Sequence, residues 1–501
     1  MRLPIAFLLA LLPGVLFSQT DNGLPAWREG NYKQAIPLLQ AAAGTAPADA
    51  NVHADLLSAL VYEGRVDDAS DAAQADAQAF PDSPEVTAAR GEYAYYLGDM
   101  TEAQILFKAA LKLKETTPRA YYGLSRVYRA ASLYRTARLL LLRAHEIDPD
   151  DALITRLWLT YLTPEKSREL FPPFMAAHPW FYEYANAAQA THSEVNHELN
   201  GRKIFELDGE ERETTLHLIS IVHDPTHVQG VGLEFKIEDR PPLRLLLDTG
   251  ASGILISQRA VDKAGLNHLG SVQTWGIGDD GKRSAFAALS ETCQIGGLKY
   301  KNCLMRATEG KHNVAGDADG LIGADFFSAF LIYIDFQRHQ LHLTPQPPRT
   351  PNPQGYDRVI PLEEKDFTPV FRAGNHLFIQ TKLNGKTSGL FLLDTGASVS
   401  NVDSTFARLS TKIYGNSRMH IHGISGEVKN VFEADKAVLQ FSHYQQENLG
   451  LIAFDLNNRP DHEEFRMSGI LGIPVLSLFH LTLDYRNGLV KFEYIMGEKK
   501  K

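Results

Sequence analysis

Two rhythms of apolar and polar residues run along the chain, and one gives way to the other near residue 200. The first is a 34-residue repeat in an Ala- and Leu-rich stretch from residue 24 to about 150. Gly30-Asn31-Tyr32-Lys33-Gln34-Ala35, Gly64-Arg65-Val66-Asp67-Asp68-Ala69, Gly98-Asp99-Met100-Thr101-Glu102-Ala103 and Ser132-Leu133-Tyr134-Arg135-Thr136-Ala137 align without a gap, and Pro47, Pro81 and Pro149 keep the same phase. A fixed period of this length predicts stacked helix pairs, each burying its apolar face only against its neighbours. Residues 150 to 200, with Pro164, Pro172, Pro173 and Pro179, read as a further irregular helical piece closing the array, with Trp158, Trp180, Phe181 and Tyr182 as its packing core. After Gly201 the pattern turns to short alternating runs such as Thr215-Leu216-His217-Leu218-Ile219-Ser220-Ile221-Val222 between Gly turns, which predicts strands.

Within the strand-rich part the chain writes one sentence twice. Leu245-Leu246-Leu247-Asp248-Thr249-Gly250-Ala251-Ser252 returns as Phe391-Leu392-Leu393-Asp394-Thr395-Gly396-Ala397-Ser398, 146 positions on (394 minus 248). Each copy reads as a short apolar strand that delivers a carboxylate onto a tight loop. Two similar lobes facing each other would bring Asp248 and Asp394 together. The first lobe is expected over 210–345, a Pro-dense linker over 346–355 and the second lobe over 356–496; the helical domain spans 19–200. Asp335 and Asp484 also correspond between the lobes, but both stand at closing turns and read as structural.

These motifs resemble known families. Asp-Thr-Gly after an apolar strand is the signature of the aspartic proteases, and the Ala that follows resembles the retroviral-type variant, so both lobes look retropepsin-like. Leu321-Ile322-Gly323 and Ile470-Leu471-Gly472 match that family's apolar-apolar-Gly strand beside the catalytic loop. Trp275-Gly276-Ile277-Gly278 and His422-Gly423-Ile424-Ser425-Gly426 stand where the family places the flap over its substrate. The 34-residue unit resembles tetratricopeptide repeats, with Gly at the turn between helices, a small Ala for close packing and Pro ending the unit. The implied fold is a multidomain α + β chain, an all-α solenoid followed by two all-β lobes forming a bilobal aspartic protease. Asp248 and Asp394 are then the catalytic pair. Thr249 and Thr395 would cross-link the loops, and Gly250 and Gly396 would permit close backbone approach. Ser252 and Ser398 are either loop supports or plain turn hydroxyls.

Composition narrows the reading further. The 501 residues suggest about three domains, and 44% hydrophobic with 22% charged residues is an ordinary globular balance. A formal net charge of −10 and a pI near 6.0 argue against nucleic-acid binding, which requires a basic face. Met1-Arg2, the apolar run from Ile5 to Phe17 and Ser18-Gln19 read as a signal peptide over 1–18, so the protein is expected to be exported, periplasmic or secreted, with no membrane span after cleavage; an uncleaved anchor is the alternative. Cys293 and Cys303, ten apart around Gly296-Gly297, either bridge or are two small buried residues. Two-residue hairpin pairing sets Cys293 opposite Tyr300, so a bridge needs a bulge or longer loop.

Two carboxylates suit peptide hydrolysis because one, charged, activates water while the other donates its proton to the carbonyl oxygen. No cofactor is expected. His420 and His422 lack a third ligand nearby in sequence, so no metal site is expected. Gly-x-Ser-x-Gly and the phosphate-binding loop are both missing. The leading expectation is an exported aspartic endopeptidase acting on protein or peptide, with a candidate protein partner or substrate on the repeats. The alternative is a repeat-based scaffold whose lobes form a peptide groove with little turnover, and pairing of lobes between two molecules is a third arrangement.

Overall fold

The computed structural model describes residues 22–182, 195, 197–210, 212–224, 227–310, 316–346, 356–360, 362–415, 419–457 and 465–495. The expected signal segment, and the linker except Gln346, lie outside these residues. The repeats form helix pairs: Leu24–Arg28 with Tyr32–Thr45, Ala50–Tyr62 with Val66–Ala79, Pro84–Tyr96 with Met100–Leu113, and Pro118–Ala130 with Tyr134–Ile147. Ala152–Leu159 and Pro164–Ala177 make a fifth pair, followed by the short turn Pro179–Tyr182. Ala35, Ala69, Ala103 and Ala137 are fully buried, as their close-packing role requires. Gly30, Gly64 and Gly98 turn with φ of 77°, 70° and 81°; Ser132 takes the same left-handed conformation at 61°.

The inner side of this array is filled from within. Arg119 is buried and bonds Asp151 at 2.7 Å, Glu92 at 3.2 Å and the Tyr32 hydroxyl at 3.4 Å. Burial in such company is tolerable only because the charge is paired and its donors are used. The last turn folds back on the first: Trp180 Nε1 donates to the Glu29 carbonyl at 3.0 Å, and Phe181 fills the space where Gly30 would carry a Cβ. Trp158 stacks on His145 with ring centres 4.1 Å apart.

Each lobe centres on the strand that carries its Asp. Leu243–Asp248 lies between His227–Ile237, antiparallel, and Gly320–Gly323, parallel, with Leu246 opposite Leu321 and Asp248 opposite Gly323. Thr387–Leu393 lies likewise between His376–Leu383 and Gly469–Leu471, with Leu392 opposite Ile470. Both faces of these strands are covered, which is why they read as unbroken apolar runs. The lobes then share a six-stranded sheet: Thr368–Pro369, Leu489–Tyr494, Phe479–Asp484, Phe330–Asp335, Gln340–Pro345 and Thr214–His217. At its centre Ile332, Tyr333 and Ile334 face Leu483, Thr482 and Leu481 across the lobe boundary. Asp335 accepts the amides of Gln337 and Arg338, and Asp484 that of Asn487, so both cap hairpin turns.

Cys293 and Cys303 form a disulfide. The hairpin keeps the two-residue register, with Cys293 opposite Tyr300 and Cys303 opposite Ser290. The kink needed to reach across comes from Asn302, whose φ is 54°.

The array is docked on the second lobe. Tyr95, Met100, Phe107 and Leu124 share one buried apolar cluster with Phe378, Leu390, Phe465 and Ile470. Gly98 has no room for a side chain because a Cβ there would lie 3.0 Å from the Leu390 amide nitrogen. The turn at Ser132–Thr136 also grips the strand entering lobe two: Arg135 N donates to Tyr356 O, Arg358 N to Ser132 O, and the Thr136 amide and hydroxyl to the Asp357 carboxylate.

The first residue of the linker and a residue of the second lobe meet at Asp484. Gln346 Nε2 donates to Asp484 Oδ1 at 2.7 Å, and Glu364 shares a carboxyl-to-carboxyl hydrogen bond with the same residue. Burial, then the charge of Asp484, pushes Glu364 up to about 7. Because this carboxyl binds its proton more tightly in the folded chain, its contribution to stability is lost as pH rises from the ordinary carboxyl range through about 7. Glu364→Gln keeps a donor for Asp484 and removes the titration. Its melting temperature should exceed that of the parent at about pH 8, with the gap closing toward about pH 4.5; a gap independent of pH would contradict the assignment.

Candidate active site

The two Asp-Thr-Gly loops meet between the lobes of one chain. Thr249 Oγ1 donates to Leu393 O at 2.6 Å and accepts from Thr395 N at 3.0 Å. Thr395 Oγ1 returns the arrangement, donating to Leu247 O at 2.6 Å and accepting from Thr249 N at 3.1 Å. Each threonine thus ties the opposite loop to the end of its own strand, and both side chains are fully buried.

Above this lattice the carboxyls face each other. Gly250 N donates to Asp248 Oδ1 at 2.8 Å and Gly396 N to Asp394 Oδ1 at 2.8 Å, which orients both groups from their own loops. A Cβ at Gly250 would lie 2.5 Å from the Asp394 carboxyl carbon, and one at Gly396 would lie 2.5 Å from that of Asp248. Hydrogen at these two positions is therefore a condition for the carboxyls to meet. Burial, then the charge of Asp394 and the hydrogen bond shared with it, hold Asp248 well above the ordinary carboxylate range. Like charges in a site of low dielectric cannot both ionise readily, so the pair keeps one proton between them.

The two Gly-rich segments meet as well. Trp275–Gly278 lies between the strands His268–Thr274 and Arg283–Ile295, and His422–Gly423 pairs with Gly426–Glu427 in a two-stranded hairpin. Gly276 N donates to Ser425 Oγ at 3.0 Å, Ser425 N to Ile277 O at 2.9 Å, and Asp280 N to Ser425 O at 2.8 Å. Asp279 N donates to Glu427 O, and Lys429 N to Asp279 Oδ2. Ile424 packs onto a first-lobe cluster that includes Leu246, Leu255 and Leu321, while Ile277 packs onto the cluster holding Leu392 and Ile470. Each segment therefore reaches over to the other lobe. Trp275 is turned partly to solvent with Lys282 Nζ 5.5 Å from its ring centre, and His420 and His422 stay outside, His420 bonding Glu427 at 2.7 Å.

Sequence reasoning missed Ser425 as the hub of these contacts, and missed Asp325. The Asp325 carboxylate accepts from Gly253 N at 3.0 Å, at the end of the first Asp-Thr-Gly loop, and from Asn375 Nδ2 of the second lobe at 2.7 Å. The available signal was a break in the copy: Gly323-Ala324-Asp325 becomes Gly472-Ile473-Pro474.

Residues 233–326 match the family described as aspartyl protease, and residues 26–93 match that described as tetratricopeptide repeat. The first match covers much of lobe one. No curated protein matches the chain. Among the described residues no helix is long and apolar enough to cross a membrane. The chain carries a retropepsin-like aspartyl protease domain behind tetratricopeptide-like repeats.

Proposed function

We propose that the protein is an aspartic endopeptidase whose catalytic dyad, Asp248 and Asp394, is built within a single chain. The observation that carries this is the reciprocal Thr249–Thr395 lattice beneath a carboxyl pair sharing a hydrogen bond. In the reaction, the ionised carboxylate takes a proton from water as the water oxygen attacks the peptide carbonyl carbon. The protonated partner gives its proton to the carbonyl oxygen, leaving a neutral tetrahedral diol. The diol then collapses: a hydroxyl proton returns to the dyad, the amide nitrogen is protonated from it, and the C–N bond breaks. Trp275–Gly278 and His422–Ile424 act as flaps that part to admit substrate and close over it.

Export is part of this proposal, to the periplasm or beyond the cell. The signal-like run at 5–17 and the Cys293–Cys303 disulfide support it, since such bonds persist in oxidising compartments. A protein partner or substrate of the array would meet its outer surfaces, because the inner side is occupied by Arg119 and its partners.

Turnover of a mixed peptide library across pH tests the reading. A dyad needing one proton is active between its two apparent pKa values, losing activity in acid as the second proton binds and in alkali as the shared proton leaves. The raised Asp248 places the alkaline limb above the ordinary carboxylate range. Hydrolysis that keeps rising through about pH 9 would exclude a dyad of this kind.

A further inference from the structure

The two lobes carry the same three strand positions on the sheet face against which the flap residues Ile424 and Ile277 pack, but with one chemical difference. In lobe one, Leu246 lies opposite Leu321, and Leu321 opposite Leu255, so all three share one face of the sheet. In lobe two, Leu392 lies opposite Ile470, and Ile470 opposite Asn401. Asn401 thus occupies the place of Leu255. Its neighbour Val402 points the other way, into the common core with Ile256, its counterpart in lobe one.

An asparagine here is costly. Asn401 is 2% exposed, and its side-chain oxygen is buried with no protein hydrogen-bond partner among the described residues. A buried amide oxygen left unbonded has lost its hydration with nothing in return, and a leucine or valine at this position would avoid that cost. The flap contact completes the asymmetry: Ile424 rests on an all-apolar face containing Leu255, and Ile277 on the cluster adjoining Asn401.

We propose that Asn401 is a specificity-determining residue, its amide oxygen accepting a hydrogen bond from a neutral donor side chain of the substrate (Gln, Asn, Ser or Thr), while the matching subsite at Leu255 takes an aliphatic one. This rests on the peptidase reading above and adds a substrate class to it: peptides unlike on the two sides of the scissile bond. A basic side chain also donates but would bring an unpaired charge into an apolar site. A donor amide satisfies the oxygen without that cost.

The experiment compares the full-length protein with Asn401→Leu and Asn401→Val, the two variants guarding against a packing failure peculiar to one. Each is profiled on peptides varied at every position from the third before to the third after the cleaved bond. In parallel, binding is measured for peptides whose scissile amide is replaced by a methylene-amine, carrying Gln or Leu at each position. The parent should favour Gln over Leu at one position by roughly ten- to hundred-fold, the worth of one buried hydrogen bond, and both variants should reverse that order. Equal preference in parent and variants, by cleavage or by binding, overturns the role of Asn401 and leaves the peptidase intact. Reversed binding preference without cleavage in any form keeps the subsite and sinks the peptidase. Neither cleavage nor binding by the correctly folded parent sinks both.

Discussion

Asp248→Asn and Asp394→Asn should each lower peptide hydrolysis by at least about 10³-fold, the upper range of what positioned acid–base groups contribute. Neither carboxyl can replace the other, because the chemistry needs one charged and one protonated group at the same moment and Asn supplies neither. Asp335→Asn should leave the chemistry largely intact: that carboxylate is spent on the amides of Gln337 and Arg338 at a hairpin turn. Mixing the two inactive variants separates the possible assemblies. In a dyad built within one chain every molecule still lacks one carboxylate, so the mixture stays inactive. Pairing of unlike lobes between molecules would regenerate complete sites on mixing, and pairing of like lobes would leave each single variant partly active. Recovery on mixing, or substantial activity in either variant, rules out the intrachain site. The shared six-stranded sheet, with Ile334 paired to Leu481 and Ile332 to Leu483, is the structural reason to expect none.

What was legible in the sequence follows from what repeats. The helix pairs were readable because Ala35, Ala69, Ala103 and Ala137 recur at one spacing and each contacts mainly its own neighbours. The Asp-Thr-Gly loops were readable because the chain states them twice. What happens once left no such mark. The docking of Tyr95 and Phe107 onto Leu390 and Phe465 joins residues nearly 300 or more positions apart, and each of these residues alone is an ordinary core side chain. The convergence of Arg119, Glu92 and Asp151 inside the array, and the return of Phe181 onto Gly30, likewise join residues from different repeats and left no mark. Ser425 is a similar case: a serine among glycines carries no signal until Gly276 and Ile277 are brought to it from the other lobe. Where the copies diverge the sequence does carry a mark: Leu255 against Asn401 and Asp325 against Pro474 are visible by aligning the two lobes.

Gly250→Ala and Gly396→Ala should abolish the proposed hydrolysis from the opposite side of the dyad. The added methyl at either position would stand 2.5 Å from a carboxyl carbon of the other lobe, far inside any van der Waals contact. Something must then move. The threonine lattice holds the loops from below through bonds of 2.6 Å to Leu393 O and Leu247 O, so the carboxyl is the group that swings away. A displacement of about 1 Å at a reacting group costs on the order of 10²-fold in rate, and overpacking a tight site costs roughly 1–3 kcal/mol of stability. Activity should therefore fall by about 10² or more while a cooperative melt persists at a lower temperature. Gly297→Ala is the control, since a Cβ there meets nothing within 4 Å, and it should retain the parent's rate. The two active-site substitutions also report on each other. Because Gly250 presses on Asp394 and Gly396 on Asp248, each should disturb the pH profile through the partner lobe's carboxyl, narrowing the active range as the shared hydrogen bond is strained. Full activity in either variant would mean that the loops do not approach this closely in solution, and the one-chain dyad would have to be abandoned.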